Sequence, residues 1–102
     1  MSVLKVTQNN FEEVKNSDRP VLIDFYADWC GPCRMVSPIV DAIAEENPRY
    51  LICKVNVDEE PDLAGEFGVM SIPTLVVMKN GEVVNRASGA RPKAQIIAMI
   101  EG

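Results

Sequence analysis

Two kinds of hydrophobic pattern alternate along the chain. Val21-Leu22-Ile23-Asp24-Phe25-Tyr26-Ala27 and Leu51 to Val57 are short runs whose two faces are both largely apolar. That is the pattern of strands covered on both sides. Between and around them, apolar residues recur every three or four positions. Met35, Val36, Ile39, Val40 and Ile43 predict a helix over about Pro32 to Glu46, with Pro38 inside it as a kink. Val3 to Val6 reads as a short first strand. Asn9 or Asn10 can cap a helix that buries Phe11 and Val14, with Glu12 or Glu13 closing a capping box, and Pro20 ends that segment. Asp58 is the expected cap of a short helix with Pro61 in its first turn, Leu63 and Phe67 inward and Gly68 as its stop. Pro73 precedes a strand over Thr74 to Lys79. Asn80-Gly81 signals a two-residue hairpin into a partner strand, Glu82 to Ala87. Pro92 opens a last helix with Ile96, Ile97 and Ile100 on one side.

The predicted order is βαβαβαββα. Strands separated by helices imply parallel crossovers, and the final hairpin adds an antiparallel edge. The expected architecture is an α/β mixed sheet with helices on both faces, in a single domain over residues 1–102.

Composition narrows the chemistry. Of 102 residues, 47% are hydrophobic, enough for one core, and the net charge of −5 argues against nucleic acid as a partner. No apolar run approaches the ~18 residues that span a membrane. The first residues lack a basic stretch followed by an apolar one, so no secretory signal is expected and the chain is read as cytoplasmic. Three cysteines and no histidine exclude Cys-His and Ser-His-Asp hydrolases and His-containing zinc sites. Proton transfer must use carboxylates, Lys, Tyr, Cys or water.

Trp29-Cys30-Gly31-Pro32-Cys33 stands between the central strand and the long helix. A C-x-x-C in a βαβ context is the signature of a redox-active pair. Pro32 suits the first helical position, which places Cys30 at the helix N-terminus, where unpaired N–H groups and the helix dipole favour a thiolate. Cys33, three residues on, shares its face. One thiol can attack a substrate disulfide and the other resolve the mixed disulfide. The structural alternatives are two inert thiols or half of a four-cysteine zinc site, for which this chain has too few ligands. Asp24 is a carboxylate inside an apolar strand, and an unpaired buried charge is costly. It is the candidate proton acceptor, against the alternative of a strand-end hydrogen-bonding group. Lys54 on the next strand is its candidate partner, with a surface lysine as the alternative. Cys53 alternates with Leu51, Val55 and Val57 and reads as a small buried hydrophobe.

The segment Asp24 to Cys33 resembles the active-site segment of the thioredoxin family. The similarity continues through Lys54-Val55-Asn56-Val57-Asp58, Ser71-Ile72-Pro73-Thr74, Lys79-Asn80-Gly81-Glu82 and Gly89, over nearly the whole chain. Tyr26, at a position often Trp in that family, and the additional Cys53 depart from it. The resemblance implies a five-stranded central sheet flanked by four helices. It implies reduction of disulfides in cytosolic client proteins, with Cys30 as nucleophile and Cys33 as resolving thiol, and recharging by a thioredoxin reductase. No bound cofactor beyond the Cys30–Cys33 disulfide is implied, and a monomer is expected. It makes Pro73 a cis proline facing the cysteines, beside which Ile72 offers a backbone edge to a substrate. Trp29, Gly31, Pro32, Met70, Ile72, Gly89 and Ala90 would form the contact surface. Two rivals stay open: an oxidant or isomerase on the same fold, and a binding module in which the cysteine pair is incidental.

Overall fold

The computed structural model describes residues 3–102. The elements are β1 (Val3–Lys5), α1 (Phe11–Lys15), β2 (Val21–Tyr26), α2 (Gly31–Glu46), β3 (Leu51–Asn56), α3 (Pro61–Glu66), β4 (Thr74–Lys79), β5 (Glu82–Ser88) and α4 (Lys93–Glu101). The predicted order is borne out. The strands form one sheet in the order β1-β3-β2-β4-β5.

β1, β3 and β2 run parallel, whereas β4 is antiparallel to β2 and β5 antiparallel to β4. The antiparallel part therefore begins one strand earlier than a helix between β3 and β4 suggested. The reason is length. The six residues of α3 reach only ~9 Å along a helix axis, while a six-residue strand such as β3 extends ~20 Å. So short an element cannot carry the chain back along the sheet. β4 starts near the end where β3 finished, with Thr74 opposite Phe25, and must run the other way.

Alternation along β2 and β3 divides two cores. Ile23, Phe25, Cys53 and Val55 pack with Val14 of α1 and Leu63 of α3 on one face. Leu22, Ile52, Leu75 and Val77 pack with Val36, Val40 and Ile43 of α2 and Ile96 and Ile100 of α4 on the other. Asp24 and Lys54, in register with each other across β2 and β3, share the parity of Leu22 and Ile52 and so belong to the α2 face.

Several local expectations are corrected. Asn10 occupies the N-cap of α1 but makes no side-chain cap bond. Its amide is turned backward, accepting from the Thr7 N–H at 2.8 Å and donating to the Lys5 carbonyl at 2.9 Å. α3 is preceded by Glu60 rather than capped by Asp58. Met35 is 69% exposed. α2 begins at Gly31, so Pro32 is its second residue; Pro38 lies inside the helix, as expected.

Candidate active site

The parallel strand β2 delivers the chain to the start of α2, and the two cysteines sit at that junction. Cys30 is the N-cap residue, with an extended backbone, and Cys33 lies in the first turn. They are joined as a disulfide across a Cα–Cα distance of 5.2 Å. The Cys33 N–H donates to Cys30 Sγ at 3.2 Å. Of the two sulfurs, Cys30 thus occupies the place where an N-cap side chain receives the free N–H groups of a helix. This holds with Pro32 one place further along than expected, because Gly31 supplies the first helical residue. Ala27, Cys30 and Cys33 form a small cluster against Tyr26, Val57 and Ile72.

Pro73 is buried and follows a cis peptide bond, as the resemblance implied. The preceding Ile72 carbonyl oxygen lies 3.8 Å from Cys30 Sγ. The Gly89 N–H donates to the Pro73 carbonyl at 2.8 Å. Gly89 does so with φ of 94°, a conformation in which a side chain would be strained. Together Ile72, Pro73 and Gly89 form a backbone edge beside the cysteines.

Two grooves take up part of the expected contact surface, Trp29, Met70 and Ile72 in one and Ala90 in the other. Trp29, Val57, Val69, Met70, Ser71 and Ile72 line one of about 200 Å³. Met35, Val36, Ile39, Ala90, Arg91 and Pro92 line another of about 270 Å³. Trp29 is 66% and Met70 98% exposed, so neither belongs to a core. Gly31 and Pro32 are exposed at the mouth of α2. The Trp29 Nε1–H donates to Asp58 Oδ2 at 2.8 Å, which ties the indole to the segment that follows β3. Sequence reasoning missed this use of Asp58, since nothing local joins residues that far apart along the chain.

Asp24 is 1% exposed, and neither carboxylate oxygen has a hydrogen-bond partner. Burial pushes its pKa from 3.8 to about 7; Lys54 pulls it down and Asp41 pushes it up. Lys54 is therefore a strand neighbour of Asp24 but not its bonded partner. Its ammonium donates to Ser37 Oγ at 2.6 Å and to Asp41 Oδ1 at 2.8 Å, both on α2. Ser37 and Asp41 were not legible as parts of this site. Next to them, a groove of about 200 Å³ lined by Tyr26, Ala27, Asp28, Cys33, Arg34 and Ser37 reaches Cys33. Cys53 is fully buried on the opposite face of the sheet, so the three thiols do not converge.

No helix among the described residues is long and apolar enough to cross a membrane. Comparison with known proteins bears on the whole chain. The family model described as Thioredoxin matches residues 2–102. Thioredoxin of Porphyra purpurea is 54% identical over 98 residues, covering 94% of this chain and 92% of that protein. Thioredoxin of Streptomyces clavuligerus is 50% identical over 97 residues, covering 93% and 91%. The solved structure of a mutant thioredoxin from Halobacterium salinarum NRC-1 superposes with a TM-score of 0.91 at 39% identity, covering 98% of this chain and 88% of that one. A sheet with this strand order, a closed C-x-x-C pair at the start of its long helix and likeness from end to end agree on one conclusion: the chain belongs to the thioredoxin family and is a protein-disulfide oxidoreductase that works through Cys30 and Cys33.

Proposed function

We propose that the chain acts as one monomeric domain reducing disulfides of cytosolic client proteins, with Cys30 as nucleophile, Cys33 as resolving thiol and Asp24 as proton acceptor. The observation that carries the order of the two thiols is the Cys33 N–H donated to Cys30 Sγ. A hydrogen bond to the charged form favours it, and the helix N-terminus adds to that preference. In the reduced protein the Cys30 thiolate attacks one sulfur of a client disulfide, and the other client sulfur leaves as a thiolate that takes a proton from solvent. Asp24 takes the Cys33 proton, there being no histidine to do so. The Cys33 thiolate then attacks Cys30 Sγ, releases the second client sulfur as a thiolate and closes the Cys30–Cys33 disulfide; the proton held by Asp24 is free to return to solvent. Two electrons pass to the client, and a thioredoxin reductase returns two to the protein.

The client segment lies along Ile72 and Pro73 in extended form, the mode by which a peptide pairs with an exposed backbone edge. Trp29, Met70, Gly31, Pro32, Gly89 and Ala90 give it an apolar, side-chain-tolerant surface. The test is trapping. Cys33→Ser should accumulate mixed disulfides with clients through Cys30, visible on non-reducing gels and by mass spectrometry. Cys30→Ser should accumulate almost none, and equal trapping by both variants would overturn the roles.

A further inference from the structure

Lys54 is the nearest cation to Asp24 along the sheet, yet its charge is spent elsewhere. The two residues are register partners on β3 and β2 and point to the same face. In contact they would form an ion pair, and Asp24 would be held ionised. Instead neither oxygen of Asp24 is bonded. The Lys54 ammonium, its side chain only 16% exposed, is gripped from α2 by Ser37 Oγ at 2.6 Å and Asp41 Oδ1 at 2.8 Å. Ser37 and Asp41 are four residues apart and therefore stand on one face of the helix. Between them they occupy the ammonium with one neutral acceptor and one carboxylate.

We propose that Ser37 and Asp41 form a clamp that holds the Lys54 ammonium away from Asp24 and so keeps that buried carboxyl without an ion-pair partner. Both are positioning residues, acting through Lys54. This inference rests on Asp24 being the proton acceptor for Cys33. The charged groups that act on Asp24 are Lys54 from β3 and Asp41 from α2. Across it, β4 presents Leu75. The remaining neighbours from α2 and α4 on that face, Val36, Val40, Ile96 and Ile100, carry no charge. Asp41 thus works twice. Its negative charge disfavours a second carboxylate nearby, and its hydrogen bond to Lys54 withdraws the cation that would favour one. Ser37 contributes only the second effect, which makes it the cleaner probe.

The experiment uses the oxidised full chain, in which Cys30 and Cys33 do not titrate, and follows the Asp24 side-chain carbonyl carbon by NMR across pH. Ser37→Ala changes no charge. It should lower the Asp24 midpoint by about one pH unit, the effect of an opposite charge coming within reach. Lys54→Met should raise the midpoint. On the Lys54→Met background, Ser37→Ala should shift it no further. A midpoint unmoved by Ser37→Ala, or moved equally when Lys54 is absent, would overturn the clamp. The pH profile of client reduction by the same variants separates the two layers of the argument. If the midpoint moves as expected while the rate profile stays fixed, the clamp stands and the role of Asp24 as acceptor falls.

Discussion

At the scale of single residues, the three cysteines show how far environment decides the fate of one side chain. Cys30 and Cys33 lie at a helix start, where free N–H groups converge. Cys53 sits in the middle of β3 among Val55, Ile23 and Leu63. Burial pushes its thiol up to about 12, against a smaller opposing pull from Arg19. At pH 8 only about one molecule in ten thousand would then carry the Cys53 thiolate, the form that reacts. An alkylating reagent should label two thiols quickly in the reduced native protein and the third at least about a hundredfold more slowly. Cys53→Ala should keep the rate of client reduction while lowering stability in urea by roughly 1–2 kcal/mol. Rapid labelling of a third thiol, followed by mass spectrometry, would show Cys53 to be reachable. The alternation of Leu51, Cys53, Val55 and Val57 made this burial legible from the sequence. Other relations were not. The Trp29–Asp58 bond and the grip of Ser37 and Asp41 on Lys54 join different elements, and no local spacing encodes them.

At the scale of elements, periodicity identified which segments are helix or strand more reliably than it identified their edges. Met35 falls at helical spacing with Ile39, yet it is exposed. At ~100° per residue it lies about 105° around α2 from the centre of the buried stripe of Val36, Val40 and Ile43. An apolar residue on that flank faces a groove and not the core. β5 is a second case. Val83 and Val84 are adjacent and both exposed, because an edge strand has little covering it on either face. The direction of β4 depended on the length of α3, a geometric consequence that an element order does not state. The hairpin, by contrast, was written in two letters. Asn80 and Gly81 have φ of 54° and 80°, the pair of positive values that a two-residue I′ turn requires. A Cβ on Gly81 would also lie 3.2 Å from the Lys15 carbonyl oxygen. Gly81→Ala should therefore cost about 1–2 kcal/mol of stability, read as a lower urea midpoint. The turn stands at the far end of β4 from Pro73, ~20 Å away along the strand. Client reduction by the folded variant should be unchanged, and a slowed exchange rate would show that the hairpin and the cysteine end are coupled.

At the scale of the whole molecule, the sheet is covered on both faces, and its centre is the most desolvated place the chain offers. Among the described residues three polar side chains are buried in the sheet: Asn56 and Thr74 at strand ends, and Asp24 within β2. Asn56 accepts from the Asp58 and Glu59 N–H groups, and the Thr74 hydroxyl reaches the Ser71 carbonyl and Ser88. Asp24 alone is unsatisfied, and the fold as a whole carries the cost. Its pKa is 3.8 when unfolded and about 7 in the native protein. Well below pH 3.8 the carboxyl is neutral in both states and adds no pH dependence. Between about 4 and 7 the native state retains a proton that the unfolded chain has shed, so stability falls as pH rises. Above about 7 both states are ionised and the loss is complete, at roughly 4 kcal/mol. Asp24→Asn cannot ionise and escapes that fall. The measurement is the difference in urea unfolding free energy between variant and wild type as pH climbs from 4 to 8, with other carboxylates cancelling. The difference should grow in favour of Asp24→Asn, while exchange with a client disulfide becomes slower because the Cys33 proton has lost its acceptor. A variant less stable than wild type at pH 8 would mean that Asp24 holds the fold together as an ion. One equally fast in exchange would mean that the Cys33 proton leaves by another route.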